Sequence, residues 1–549
     1  MPISDELIKE LATTFRGDIS AEPKTLTTYS HDASLFEVRP ELVVWPKDEA
    51  DIQVLVDFVN KYKTENPALS ITVRAAGTCM AGGALGESIV ADTTKYMQGV
   101  VGVEKGEAVV LPGTFYRDFE KEVAKSGQFL PSYTASKDLN AIGGMIGNNA
   151  GGEKNLRFGK TEKYVAGLTV VLSDGKTYDL GPLNQEGLEA KMKEENLLGK
   201  IYRELYVLLE KNKEVIERAR PRVSKNSAGY YLWNIWDGQT FDLTKLITGA
   251  QGTLGIVTKA TLRLVPIEKE SELVVVFLPN IGPVAEVVNE ALVFKPDSIE
   301  SYDDHTMKLA LRFLPDLAKR MKLTGLAKLM WSFLPEVKML MRGGLPKLVL
   351  LIEFVGNEPS ELRTKAETLV EKMKGLGLVA RRASDPSEAE KYWTIRRESF
   401  SLLRKHLKGK RTAPFIDDII VSPERMPEFL PKLQALLDEY KLVYTVAGHA
   451  GDGNFHIIPL MDLHDAHNTD VIMELSAKVY DLVVSFGGSI TAEHNDGIIR
   501  TPYLEKMYGA EMVALFAEVK QIFDPQNIFN PGKKVGGSLE YLKRHLLRS

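Results

Sequence analysis

One cysteine, Cys79, stands in 549 residues. A single thiol excludes internal disulfides, a cysteine-rich zinc site and any iron–sulfur cluster held by this chain alone. Long apolar runs are also missing: none approaches the ~18 residues that a membrane-spanning helix needs. The start, "MPISDELIKELATTF", lacks a basic stretch followed by an apolar core, so it does not read as a signal peptide. A reducing cytoplasm is the expected compartment. There is no excess of positive charge; the net of −5 gives no reason to expect nucleic acid. Internal repeats and low-complexity tracts are absent too. What remains is the mix of an ordinary soluble globular protein, 44% hydrophobic and 26% charged. At about 100–200 residues per domain, the length suggests roughly three structural regions.

Periodicity organises the first half. In "ADIQVLVDFVNKYKT" (50–64), Ile52, Leu55, Val56 and Val59 fall on one face of an amphipathic helix. "LSITVRAAGTCMAGGALGESIVADT" reads as strand, glycine-rich loop, strand. "GVVGVEKGEAVVLPG" predicts a hairpin closed around Glu104 to Gly106, and Asp174-Gly175 predicts another. Up to Pro266 the pattern is an α+β domain whose loops carry glycines rather than charges. From about 270, strands such as "ELVVVFLP" and "LVLLIEFVG" alternate with long helical stretches, a second α+β domain running to about 500. Residues 305–347 stand apart, with nine Lys and Arg against two acidic residues among many Leu, Met and Phe. Such a basic, apolar-faced segment suits an anionic membrane surface, or a helical hairpin packed on its own domain or a partner subunit.

Three glycine-rich stretches, 74–83, 143–152 and 249–255, invite a phosphate-bearing ligand, because successive small residues expose backbone N–H groups as an anion nest. None is a Walker A loop. Nor does "RAAGTCMAGG" open a helix as a Rossmann fingerprint would, since a strand follows it. One such loop alone would be a tight turn; three together favour an elongated dinucleotide.

The order "RAAGTCMAGG", "PSYTASKDLNAIGGMIGNNAGG", "RFGKTEKYVAGLTVVLSDG", "GAQGTLGIVTKATLRLVP", "FDPQNIFNPGKK" resembles the FAD-linked oxidases of the vanillyl-alcohol-oxidase superfamily over nearly the whole chain. The resemblance implies an α+β fold: a two-subdomain FAD-binding domain (1–268), an α+β cap or substrate domain (269–500) and a C-terminal segment (501–549) returning to the flavin. It implies that Arg74, Ala75, Ala76, Gly77, Thr78, Cys79, Gly82 and Gly83 cradle the pyrophosphate. Pro131, Gly143, Gly144, Asn148, Asn149 and Gly152 would line the cofactor, Gly252, Gly255 and Ile256 would lie near the adenine, and Asn530 near the flavin. Members with covalent flavin often carry histidine where this chain has Thr78, so non-covalent FAD is expected.

"GHAGDGNFH" (448–456) is the sharpest local motif. A two-residue turn at Asp452-Gly453 would set His449 opposite His456, with Cβ atoms roughly 5 Å apart, a spacing at which two imidazoles can share a divalent metal. The alternative is a pair of surface histidines beside a turn. In the D-2-hydroxy-acid dehydrogenase branch (D-lactate, glycolate and D-2-hydroxyglutarate enzymes), residues matching His449, His456 and Glu493 bind a divalent metal, zinc or manganese or iron. The residue matching His494 is the proposed base, and Arg396 of "YWTIRRESF" matches the substrate arginine. If "TAEHN" is extended, Glu493 and His494 point to opposite sides, one to metal and one to substrate. A neutral His494 near its reference pKa of about 6.5 suits proton abstraction. Arg397 reads as a surface or packing residue, and "HDAH" (464–467) as solvent-facing.

Two positions depart from the branch. Ile416 occupies the place of the lysine that binds substrate in the hydroxyglutarate enzymes, which favours a monocarboxylate such as D-lactate. Asn495 stands where glycine commonly follows the base; Asn is the non-glycine residue most tolerant of positive φ. "EHNDGIIRTPYLEKMYG" also resembles the subset in which an iron–sulfur domain follows. With none before Ser549, the expected acceptor is membrane quinone, a separate iron–sulfur or electron-transfer protein, or a soluble oxidant.

Overall fold

The structure, a computed structural model, describes residues 3–304, 306–308, 344–406 and 411–547, with side chains throughout except at 398–406 and 466. The basic insertion expected at 305–347 therefore lies almost entirely outside the described residues. At its two roots, Lys308 and Lys347 both reach Asp304 Oδ2, at 2.7 and 3.1 Å.

The N-terminal part holds two sheets. In the first, the order is Asp18–Ser20, Leu42–Trp45, Ile89–Asp92, Ile71–Arg74, and the last three strands run parallel. Helix Glu49–Tyr62 covers it, capped by the Asp48 carboxylate on the N–H groups of Ala50 and Asp51. The expected face, Ile52, Leu55, Val56 and Val59, is fully buried. The second sheet is antiparallel, with Val100–Glu104, Glu107–Val110, Ile256–Arg263, Val165–Val171 and Thr177–Leu180 in that order. Both expected hairpins are there, the first turning through Lys105 (φ 50°) and Gly106 (φ 83°). One glycine-rich stretch is not a loop: Ile142–Asn148 is a helix, ended by left-handed Asn149. Glycine disfavours helix, but close packing overrides that preference here. Gly143 N–H donates to the Pro112 carbonyl at 2.7 Å, and a Cβ on Gly143 would meet the Pro112 side chain at 2.8 Å.

The second part is built on one eight-stranded antiparallel sheet. Its order is Val379–Arg382, Glu270–Leu278, Leu348–Gly356, Ser298–Asp303, Val443–His449, Asn454–Met461 and Arg411–Thr412, with Ile419–Ile420 also pairing Asn454–Met461. Strands Glu270–Leu278 and Leu348–Gly356 are buried on both faces over most of their length, which is why "ELVVVFLP" and "LVLLIEFVG" do not alternate. Val274, Val276, Leu350 and Ile352 join the main core. Leu273, Val275, Val349 and Leu351 pack instead with Tyr392 and Trp393 of helix Pro386–His406. After helix Leu504–Phe523 the chain returns to the first sheet: Ile71 N–H donates to Ile528 O at 2.7 Å and Asn530 N–H to Ile71 O at 2.8 Å. No helix among the described residues is long and apolar enough to cross a membrane.

Candidate functional site: a glycine-walled cleft and a histidine–carboxylate cluster

A cleft partly open to solvent runs between the two N-terminal sheets' loops. Of the residues expected at the cofactor, Ala75, Ala76, Gly77, Thr78, Cys79, Gly83, Gly143, Gly144, Asn148, Gly252 and Gly255 line it. Its walls suit an elongated ligand. A Cβ on Gly144 or Gly147 would meet nothing nearer than 3.6 or 3.9 Å. Protein packing does not demand glycine there, so the missing side chains leave room in the cleft. Thr78 faces the space, and among the described residues no histidine does; Cys79 is buried, and burial pushes its thiol pKa up, away from nucleophilic thiolate.

The other expected cofactor residues stand behind the wall. The Arg74 guanidinium folds beneath Gly77 and over the Tyr29 ring, 5.1 Å from its centre. Gly82 packs against Phe36 and Ile498, and Gly152 against the Tyr133 carbonyl. Pro131 is buried outside the lining. Asn149 lines a small neighbouring cavity with Tyr230 and Gly249. Strand alternation turns Ile256 into the core and presents Val257 to the cleft. Asn530 is a staple: its Nδ2 donates to Gly83 O at 2.9 Å and Gln251 O at 2.7 Å, and Thr72 donates to its Oδ1 at 3.1 Å.

The hairpin at 443–461 differs from the expected one. Ala450–Asp452 form a 3₁₀ turn closed by left-handed Gly453 (φ 73°), so four residues make the connection. The register becomes His449 opposite Asn454 and Ala447 opposite His456. This slips the pairing by two residues, which preserves the face of every side chain. His449 and His456 are thus diagonal neighbours on one face, their ring centres 5.2 Å apart. The neighbouring strand's register, Ser301 opposite Gly448, brings Glu300 to His449, whose Nδ1 lies 2.5 Å from Glu300 Oε1.

The 491–496 stretch is a bend, not a strand. Asp418 Oδ2 accepts from the N–H groups of Glu493 (2.9 Å) and His494 (2.7 Å) and from the Thr491 hydroxyl (2.6 Å). Two adjacent N–H groups on one oxygen cannot alternate, so Glu493 and His494 turn to the same side. Three imidazole nitrogens, Nε2 of His449, His456 and His494, then converge on Glu493 Oε1 at 3.1, 3.5 and 4.0 Å. Ligands about 2.0–2.2 Å from a shared ion sit roughly 3–3.5 Å from one another, and the distances from Glu493 Oε1 to His449 and His456 fall in that range. Among the described residues, buried Glu493 Oε2 has no hydrogen-bond partner, with the Lys225 ammonium 3.5 Å away. Asp418 also lies within 4.8 Å of His456, Glu493 and His494, but its oxygens are spent on Thr491, Glu493, His494 and Asn454.

A surrounding layer of charge fixes these groups. Asp417 lies 3.0 Å from His456 Nδ1 and 2.7 Å from His494 Nδ1, and the two rings stack 5.0 Å apart. Burial pushes both imidazoles down, but Asp417 outweighs it: His456 rises to about 10 and His494 rises as well, helped by Asp418. His494 thus stands above the reference value near 6.5 expected of it, and a cation at Glu493 would act in the opposite sense. Burial also pushes His449 down and Glu300 more than restores it. Arg396 stands at the edge, its Nη2 3.1 Å from Glu300 Oε2. Lys225, 2% exposed, lies 3.0 Å from Asp452 Oδ2 and 3.5 Å from Glu493 Oε2. Glu300, Asp417 and Lys225 carry no motif in the sequence, although "FIDDIIV" sets two acids among β-branched residues, a mark of buried charge. Ile416 is fully buried in the main apolar core. Arg397 pairs with Glu153 at the surface, and His464 and His467 are exposed, as expected.

Residues 40–181 match the family model of the FAD binding domain, and 267–534 that of the FAD linked oxidases, C-terminal domain. A D-2-hydroxyglutarate dehydrogenase of Pseudomonas putida is 28% identical over 526 residues, 94% of this chain. The chain spans about half the length of that relative, 50%. A D-lactate dehydrogenase of Anaerostipes hadrus is 25% identical over 515 residues, 92% of each chain. Among solved structures, 4-ethylphenol oxidase from Gulosibacter chungangensis superposes with a TM-score of 0.67 at 16% identity, over 98% of this chain and 100% of that one. The chain thus carries, in order, the FAD binding domain and the C-terminal domain of the FAD linked oxidases, on a fold like that of 4-ethylphenol oxidase, and its sequence relatives include proteins named D-2-hydroxyglutarate and D-lactate dehydrogenase.

Proposed function

We propose that this protein oxidises a D-2-hydroxy acid to the 2-oxo acid, with D-lactate the leading substrate. The observation that carries the reading is the convergence of three imidazole Nε2 atoms on Glu493 Oε1. The stretch that carries Glu493 and His494 is tied to the cleft wall through Asn495, which donates to the carbonyl of cleft-lining Asn148. Bound FAD would supply the two-electron acceptor in the cleft. A divalent cation held by His449, His456 and Glu493 would supply the positive charge that lowers the substrate hydroxyl pKa. His494 takes the hydroxyl proton at Nε2, while Asp417 beside Nδ1 orients the ring and stabilises the imidazolium it becomes. Arg396 grips the substrate carboxylate, trading part of its pairing with Glu300 for it. Electrons then leave to membrane quinone or to a separate iron–sulfur or electron-transfer protein.

D-2-hydroxyglutarate is the second reading, favoured by the name of the Pseudomonas putida relative. Against it, Ile416 puts an apolar side chain in the core at the position expected to hold a second carboxylate. Anaerobic flavin reduction against D- and L-lactate, glycolate and D-2-hydroxyglutarate decides among them. D-lactate should bleach the flavin fastest, and His494→Ala should slow bleaching by about 10²-fold or more with FAD still bound. Reduction by none of the acids would instead mark a flavin subunit that only relays electrons.

A further inference from the structure

Asn495 is fully buried, and its φ of 71° is one that glycine adopts without steric cost. A side chain kept at such a position is explained by what it holds. Its Nδ2 donates to Asn148 O at 3.1 Å and to Gly249 O at 2.9 Å, and its Oδ1 accepts from Asp496 N–H at 2.7 Å. Asn148 lines the cleft, and Gly249 leads into cleft-lining Ala250, Gln251 and Gly252. Gln251 tightens the same joint: its Nε2 donates to Asn148 Oδ1 at 3.1 Å, and its Oε1 accepts from Gly497 N–H at 2.9 Å. On the other side of Asn495 there is no slack. The N–H groups of Glu493 and His494 are fixed on Asp418, and Asn495 N–H donates to Thr491 Oγ1 at 2.9 Å. Any shift of the Asn148 and Gly249 carbonyls therefore reaches the Glu493 and His494 side chains within two residues.

We infer that Asn495 is a positioning residue that couples occupancy of the FAD cleft to the cation affinity of the His449, His456 and Glu493 cluster. The inference rests on the reading of that cluster as a cation site. A ligand that orders the cleft wall orders Glu493 through Asn495, and by linkage a cation at Glu493 tightens FAD by the same factor. Glycine at 495 would keep the turn and remove both side-chain links.

Mn²⁺ titration, read by the electron paramagnetic resonance of free Mn²⁺, tests this on FAD-stripped and FAD-saturated protein. The wild type should bind Mn²⁺ at least about fivefold tighter with FAD, the lower end of ordinary coupling. In Asn495→Gly the ratio should fall to about one, with far-UV circular dichroism unchanged. Asn495→Asp, which turns an acceptor towards both carbonyls, should also lose the coupling and serves if the glycine variant does not fold. Equal Mn²⁺ affinity in stripped and saturated wild type, or full coupling in the variants, would overturn the inference. Mn²⁺ binding to neither form would overturn the cation-site reading itself, and the inference with it.

Discussion

Lys160 is 2% exposed, with its ammonium on the carbonyls of Asn226 and Ala492, each at 2.7 Å, and on the Ser227 hydroxyl. Burial pulls its pKa down to about 8, against partial support from Glu162, Asp418 and Glu493. Burial favours the neutral amine, so the folded state binds fewer protons than the unfolded one between about 8 and the ordinary lysine value. Stability should rise with pH across that window and be flat below it. The relief is up to about 3 kcal/mol, at roughly 1.4 kcal/mol per pKa unit. The midpoint difference between wild type and Lys160→Met should therefore move in favour of the wild type from pH 8 to pH 10; a constant difference would contradict the assignment. Residues of this kind explain what the sequence left unread. His449, His456 and Glu493 stand in glycine-flanked motifs, whereas Lys225 and Glu300 sit in ordinary-looking strings and gain meaning only from partners far along the chain.

The hairpin at 443–461 carries the geometry of the cluster at the scale of an element. Its connection was expected to be two residues and is four, yet His449 and His456 still share a face because the slip is even. The side-chain period of strands was legible; the turn type was not, because "AGDG" is compatible with either connection. The bend at 491–496 was misread as extended for a related reason: the oxygen that folds it belongs to Asp418, which is 75 residues from Glu493. Gly453 is the hinge of the arrangement. Its φ is +73°, and a Cβ there would stand 1.9 Å from the Val421 carbonyl. Gly453→Ala should therefore destabilise the protein by about 2–4 kcal/mol and abolish divalent-cation uptake, through the combined clash and left-handed strain. Denaturant unfolding and equilibrium dialysis with Zn²⁺ read the two effects, and unchanged cation uptake would detach the turn from the cluster.

At the scale of the whole molecule, the glycine-walled cleft is closed by parts that lie far apart in the chain. Residue 71 and residues 528–530 join backbone to backbone, and Asn530 then ties the carbonyls of Gly83 and Gln251 together. Two neutral hydrogen bonds are worth about 1–3 kcal/mol. Their loss in Asn530→Gly, a change that tolerates the native φ of 40°, should let the two loops drift apart. If about 1.4 kcal/mol of that appears in binding, FAD affinity falls tenfold. At an FAD concentration 100 times the wild-type dissociation constant, FAD-dependent stabilisation should then drop from about 2.7 kcal/mol to roughly half that. This holds only for reversible binding, which Thr78 facing the cleft supports. Acid precipitation should release the flavin into the supernatant from both proteins. A melting-temperature series against added FAD should rise more steeply for the wild type. Flavin retained in the pellet would establish a covalent link and remove the basis for the comparison, while coincident series would mean that the tail contributes nothing to closing the cleft.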